Sequence, residues 1–232
     1  MSRAGRYVPH HLYDPPHKTA APPAAGQTIL SDDMEGPLNW TGSGTGADWT
    51  VALSTDAAHS PTHSLDLTTR VTTATAGDTV SALFSTDYPA YPRLTLSAWI
   101  NLGNLLSQGP TALVFNLNSG ARHYGAGLHY DAGTGKWHYW DAAGALQEIV
   151  ALAGALAADT WYHVTLVADL TAHHYVSAHV GALNADLAGI DLEDDGPEAA
   201  NYLTLTLRSS TLAGVAQGAY FDDFSAVATP NP

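Results

Sequence analysis

Gly125-Ala-Gly-Leu-His-Tyr-Asp-Ala-Gly-Thr-Gly-Lys-Trp-His-Tyr-Trp-Asp141 is the stretch on which the fold turns. Two aromatic-rich runs flank Asp131-Ala132-Gly133-Thr134-Gly135, whose glycines tolerate positive φ and let the chain reverse. The pattern predicts a β-hairpin with Tyr130 opposite Trp137 and Leu128 opposite Tyr139. Side chains alternate along a strand, so these four share one face, a core surface. His129 then opposes His138 on the other face, beside Trp140. That second face is amphipathic. It is either solvated or a surface that holds a ligand.

The same period of two runs outward from the hairpin. Thr28 to Leu30, Trp49 to Leu53, Ser64 to Thr69, Thr79 to Phe84, Leu94 to Ile100 and Ala112 to Asn116 read as strands. So do Trp161 to Ala168, Tyr175 to Val180, Leu203 to Leu207 and Ala219 to Val227. They are rich in Thr, Val, Leu and aromatics, and Gly, Pro, Asp, Asn and Ser separate them. Only Ala142 to Ala158 is mixed, and Gly144 and Gly154 weaken any long helix there. Many short strands without a βαβ rhythm predict an antiparallel sandwich or barrel. Met34 and the run Tyr220 to Phe224 are expected to be neighbours, tying the start of the chain to its end.

The chain has 232 residues, enough for one large all-β domain. It carries 8 Lys and Arg against 22 Asp and Glu, a net charge of −14. Such a surface repels phosphates and anionic headgroups, so neither nucleic acid nor membrane is expected as a partner. With no cysteine, disulfides, thiolate nucleophiles and Cys-based zinc sites are excluded. No apolar run follows the charged N-terminus, so no secretory signal is expected. Residues 1–28 are rich in Pro and His and read as an extended arm. Residues 29–228 read as the domain and 229–232 as a tail. Tyr7, His10, His11, Tyr13 and His17 are the arm's candidate partner-binding residues.

The order of motifs resembles a known family. Asp33-Met34-Glu35-Gly36, a Trp, and then His59-Ser60-Pro61-Thr62-His63-Ser64-Leu65 resemble the opening of carbohydrate-binding-module jelly rolls. Phe221-Asp222-Asp223-Phe224-Ser225 resembles their closing strand. Leu96 to Ile100 and Thr160 to Asp169 resemble the concanavalin A-like and laminin-G sandwich. The resemblance covers roughly residues 29–228 and implies a jelly-roll β-sandwich. This fold hosts lectins, glycanases, adhesion modules and virion proteins, so it does not choose among them.

In those jelly rolls a structural calcium ion often ties the first strand to the last. Carried over, this points to Asp33, Glu35, the backbone at His63, Asp222 and Asp223, since calcium takes several oxygen ligands. The bland reading of the same acids is a set of solvated strand ends. For saccharide stacking, the residues themselves offer Tyr124, His129, His138 and Trp140 as flat faces and donors. Core packing is the competing reading. His173, His174 and His179 lack the spacing of a zinc enzyme. Asp191 to Asp195 is the one acidic run resembling the alternating carboxylates of a glycanase, but it precedes Gly196-Pro197 and reads as a loop.

No enzyme is expected. The leading expectation is a structural protein of a virion-like assembly, a capsid decoration or tail surface of bacteriophage type. It would be made in the host cytoplasm, be homo-oligomeric, be anchored to other subunits by the arm, and contact host glycans. The alternative is a carbohydrate-binding module or lectin-like adhesin acting outside the cell on cell-surface glycan.

Overall fold

The computed structural model describes residues 26–45, 48–69, 77–103, 110–211 and 217–231. The arm and its candidates Tyr7, His10, His11, Tyr13 and His17 lie outside the described residues.

The strands in chain order are β1 (Gln27–Asp32), β2 (Thr41–Gly44), β3 (Thr50–Ser54), β4 (Ser64–Thr69), β5 (Thr79–Asp87), β6 (Arg93–Asn101), β7 (Thr111–Ser119) and β8 (His123–Asp131). They continue with β9 (Lys136–Trp140), β10 (Leu146–Glu148), β11 (Trp161–Asp169), β12 (His174–Val180), β13 (Leu183–Asp186), β14 (Glu193–Gly196), β15 (Asn201–Ser210) and β16 (Gln217–Thr229). All the strand pairs are antiparallel, and they form two sheets. The first runs β13-β12-β11-β6-β16-β4-β3, with β1 also on β16. The second runs β10-β9-β8-β7-β15-β5-β2, with β14 also on β8.

Alternation explains the sandwich. Along β6, Leu94, Leu96, Ala98 and Ile100 are buried while Arg93, Thr95, Ser97 and Trp99 are partly exposed. In the second sheet Leu113, Phe115 and Leu117 of β7 and Leu203, Leu205 and Leu207 of β15 fill the same core. Two faces therefore remain outward, one per sheet. The first and last described strands are neighbours, as expected: Asp32 of β1 pairs Phe224 of β16, and Met34 is buried.

Four short strands went unread in the sequence: β2, β10, β13 and β14. Asp191 to Asp195 is not wholly a loop, because Glu193–Gly196 pairs with β8 at Gly125 and Tyr124. The mixed stretch 142–158 holds β10 and a 3-10 turn at Val150–Leu152. In β2, Gly42 and Gly44 are required by close approach, since a Cβ at Gly44 would sit 2.5 Å from the Trp49 ring.

Candidate functional site

The hairpin forms in the expected register: Tyr130 pairs Trp137 and His129 pairs His138. Asp131 accepts the Gly133 N–H at 2.9 Å and the Thr134 hydroxyl at 2.8 Å, closing the turn. Tyr130, Trp137 and Leu128 are buried in the core, as their pattern dictates. The ladder then opens before Leu128 and Tyr139 can pair. There the buried Tyr175 hydroxyl of the opposite sheet accepts the Gly127 N–H at 3.2 Å and the Trp140 backbone N–H. Burial pushes the Tyr175 hydroxyl well above the usual phenol range. Beyond this wedge β14 takes over the edge of β8, and Trp140 stands at the parting of the two.

The outward face of the second sheet is built in rows. Ser43, Ser81, Arg208, Ala112, His129, His138 and Glu148 are consecutive partners across seven strands. The next row carries Thr41, Leu83, Thr206, Val114 and Gly127. The row after it carries Ser85, Thr204, Asn116, Gly125 and Glu193. The floor is small and polar, with Ser81, Thr204, Thr206 and His129 all buried. At the β2–β5 end it opens into a groove of about 500 Å³ lined by Thr41, Ser43, Leu83 and Ser85 among others.

His129 lies over Gly127 and against Trp140, with ring centroids 4.4 Å apart. It is 4% exposed, and its Nε2 has no hydrogen-bond partner among the described residues. Burial first, then Arg208 and His138, hold its pKa down at about 3, so it is neutral at ordinary pH. Arg208 is half-buried. Its Nε donates to Ser81 Oγ at 3.4 Å, and burial lowers its pKa. Glu193 reaches over Gly125, where a Cβ would meet its Oε2 at 2.6 Å. Burial, then Asp195, raises its pKa.

Of the four sequence candidates for saccharide stacking, the structure brings together His129, His138 and Trp140. Tyr124 goes elsewhere. It points to the core side, packs against it, and stacks on His173 at 3.7 Å. There it lines a separate cavity of about 230 Å³ with Asp191 and Asp194.

The first sheet's outward face holds a cluster that the sequence did not signal. His59 stacks on Trp99 at 3.8 Å and 17°, with Trp161 and His163 beside them. His59 is pinned by its Nδ1 on Asp223 at 2.9 Å and by its N–H to Asp222 at 2.8 Å. These residues are distant in sequence, so only strand pairing (His163 with Trp99, Trp99 with Asp222) unites them.

The expected calcium residues form two separate clasps on the loop before β4. Glu35 accepts the Thr62 and His63 N–H groups at 2.9 and 2.8 Å, and its pKa falls to about 2 under its bonds from His63 and Thr62. Asp222 accepts the His59, Ser60 and Asp223 N–H groups. Asp33 accepts the Glu35 N–H at 3.1 Å. Among the described residues no three His, Asp or Glu side chains are grouped to hold a metal. Carboxylates facing amide donors do not fit a calcium cage, which needs several converging oxygens free to ligate.

Residues 73–181 match the family described as the concanavalin A-like lectin/glucanases superfamily. Solved structures similar in fold include three that span nearly the whole domain. A carbohydrate esterase of Shiga toxin-encoding bacteriophage phi24B is 11% identical at TM-score 0.61, covering 88% of this chain and 100% of that one. An endo-beta-1,4-glucuronan lyase of the fungus Trichoderma reesei is 10% identical at TM-score 0.59, covering 88% and 96%. The cellulose-induced protein Cip1 is 15% identical at TM-score 0.57, covering 87% and 98%. No curated protein matches the chain. The strand order and the two antiparallel sheets give this chain the concanavalin A-like β-sandwich fold, in keeping with the family match over residues 73–181.

Proposed function

We propose that the chain is a carbohydrate-binding domain that acts without catalysis, and that it takes its ligand on the outward face of the second sheet. The observation that carries this is the buried His129, whose Nε2 is unpartnered beside the half-buried ring of Trp140. An unmet polar group in a protein interior costs about 1–3 kcal/mol, a cost that a ligand hydroxyl would recover if the covering side chains move aside to admit it. Sugars offer hydroxyls for such groups and apolar faces for an aromatic ring. Seryl, threonyl and asparaginyl side chains along the rows supply further hydrogen bonds. A glycan array probed with the full chain tests the reading, and retention of any saccharide class supports it. Glu193 and Asp195 are the carboxylates an enzyme would use here. An assay for shortened or modified products on each bound glycan is expected to find none, and turnover would overturn the non-catalytic half of the proposal.

A second reading is a structural subunit of a virion-like assembly, on a capsid or tail surface. It draws on the His59, Trp99, Trp161 and His163 cluster of the first sheet, because aromatics are enriched in protein interfaces. Light scattering on the full chain beside a chain starting at Gln27 separates the two. Assembly lost on truncation favours the subunit, and identical monomers remove self-assembly through the arm.

A further inference from the structure

We propose that the outward face of the second sheet selects an acidic saccharide, with the Arg208 guanidinium as the group that binds its carboxylate. This rests on the glycan-binding reading above and adds the ligand's chemical class.

Arg208 stands apart from the other described bases of its sheet. The chain has a net charge of −14, so acids are abundant and bases scarce. Arg122 and Lys136, on the rim, are ion-paired to Asp194 and Glu148 at 2.6 Å. Arg208 stands in the floor and has no ion-pair partner among the described residues. Among the described residues its one side-chain bond is from Nε to Ser81 Oγ, so the terminal fork is left for another acceptor. Its neighbours in the row are Ser81 and Ala112, and beyond Ala112 lies His129, which is neutral. Among the described residues no acid is paired with it. A guanidinium taken partly out of water without a counter-ion is poised for one, and its planar fork matches a carboxylate.

The dimensions suit a short oligosaccharide. Trp140 on β9 and Arg208 on β15 are three strands and two residues of register apart, about 16 Å. One sugar ring on Trp140 leaves the next one or two to cross His129 and bring a carboxylate to Arg208. The remainder would extend toward the groove at Thr41, Ser43 and Leu83. The net negative charge opposes an acidic ligand at long range, but salt screens it beyond about 10 Å at 0.1 M. At contact the half-buried guanidinium acts in a lower dielectric and outweighs it.

The test is calorimetric titration of the full chain with four acidic oligosaccharides, each beside its neutral counterpart. The probes are oligogalacturonate, oligoglucuronate and oligomannuronate with their carboxyl-reduced forms, and sialyllactose with lactose. At least one acid should bind about 10- to 100-fold tighter than its neutral partner, the worth of one charge-assisted hydrogen bond. Arg208→Gln should abolish that preference, and Arg208→Lys should restore only part of it. If a neutral form binds as well as its acid and Arg208→Gln changes nothing, the acidic class is refuted while glycan binding stands. If neither these probes nor any glycan on the array binds, both fail. The acid-against-neutral comparison uses the unaltered chain, so it decides the question even where a variant does not fold.

Discussion

The imidazole of His129 occupies the space directly above Gly127. A Cβ at position 127 would overlap its Nε2. The glycine is needed for room, because its backbone is not in the left-handed region. With Trp140 on its other side, the ring is wedged into the floor of the second sheet. Gly127→Ala is therefore expected to push the ring toward Trp140. Overpacking of this kind costs about 1–3 kcal/mol. Thermal melts should fall by about 2–10 °C for a domain of this size, and glycan affinity should drop with them.

His129 also makes a prediction about pH. Its folded pKa of about 3 lies below the ordinary 6.5, so the unfolded chain takes up the proton first. The stability held by neutral His129 is complete above pH 6.5 and is lost as pH falls toward 3. The slope is about 1.4 kcal/mol per pH unit. Denaturant melts from pH 7 to pH 4 should show this loss, and His129→Gln should flatten it.

Glu193 has the opposite sign. Its pKa is raised by burial and by Asp195, so the charged form is held at a cost that appears as pH rises above the ordinary carboxylate range. Glu193→Gln should leave the fold intact and raise the melting temperature slightly at pH 7, by about 1 °C. A lowered melting point would mean that the carboxylate is held by a favourable partner.

The clasp at Asp222 holds the loop before β4 to the bulge in β16. The side chain is fully buried and accepts the N–H groups of His59, Ser60 and Asp223. Asp222→Ala strands these donors and should cost about 3 kcal/mol. Chelation is expected to leave the melting temperature of the unaltered chain unchanged. A fall on adding chelator, reversed by calcium, would restore the metal reading of Asp33, Glu35, Asp222 and Asp223.

Much of this was legible in the chain. The turn residues Asp131 to Gly135 and the alternation around them determined the hairpin register, and alternation along β4, β6 and β11 determined the sandwich. Tyr124 was misplaced relative to His129. It sits five residues away, an odd number, so it must face the other way. The Tyr175 wedge was hidden, because a hydroxyl reaching from the other sheet has no local signature. Arg208 lies just beyond Leu203 to Leu207, the stretch that periodicity marks as a strand, so nothing local singled it out. Its lack of a counter-ion among the described residues is a property of the assembled face. The His59 and Trp99 stack joins β6 to the loop before β4, which periodicity cannot foresee.

The central claim is that the second sheet's outward face, and not the first's, takes the glycan. Calorimetric titration of the best array ligand against Trp140→Ala and Trp99→Ala tests it most directly. The account predicts that Trp140→Ala weakens binding by about tenfold or more, while Trp99→Ala binds like the unaltered chain. Loss of binding in Trp99→Ala with Trp140→Ala unaffected would contradict it and move the site to the opposite sheet.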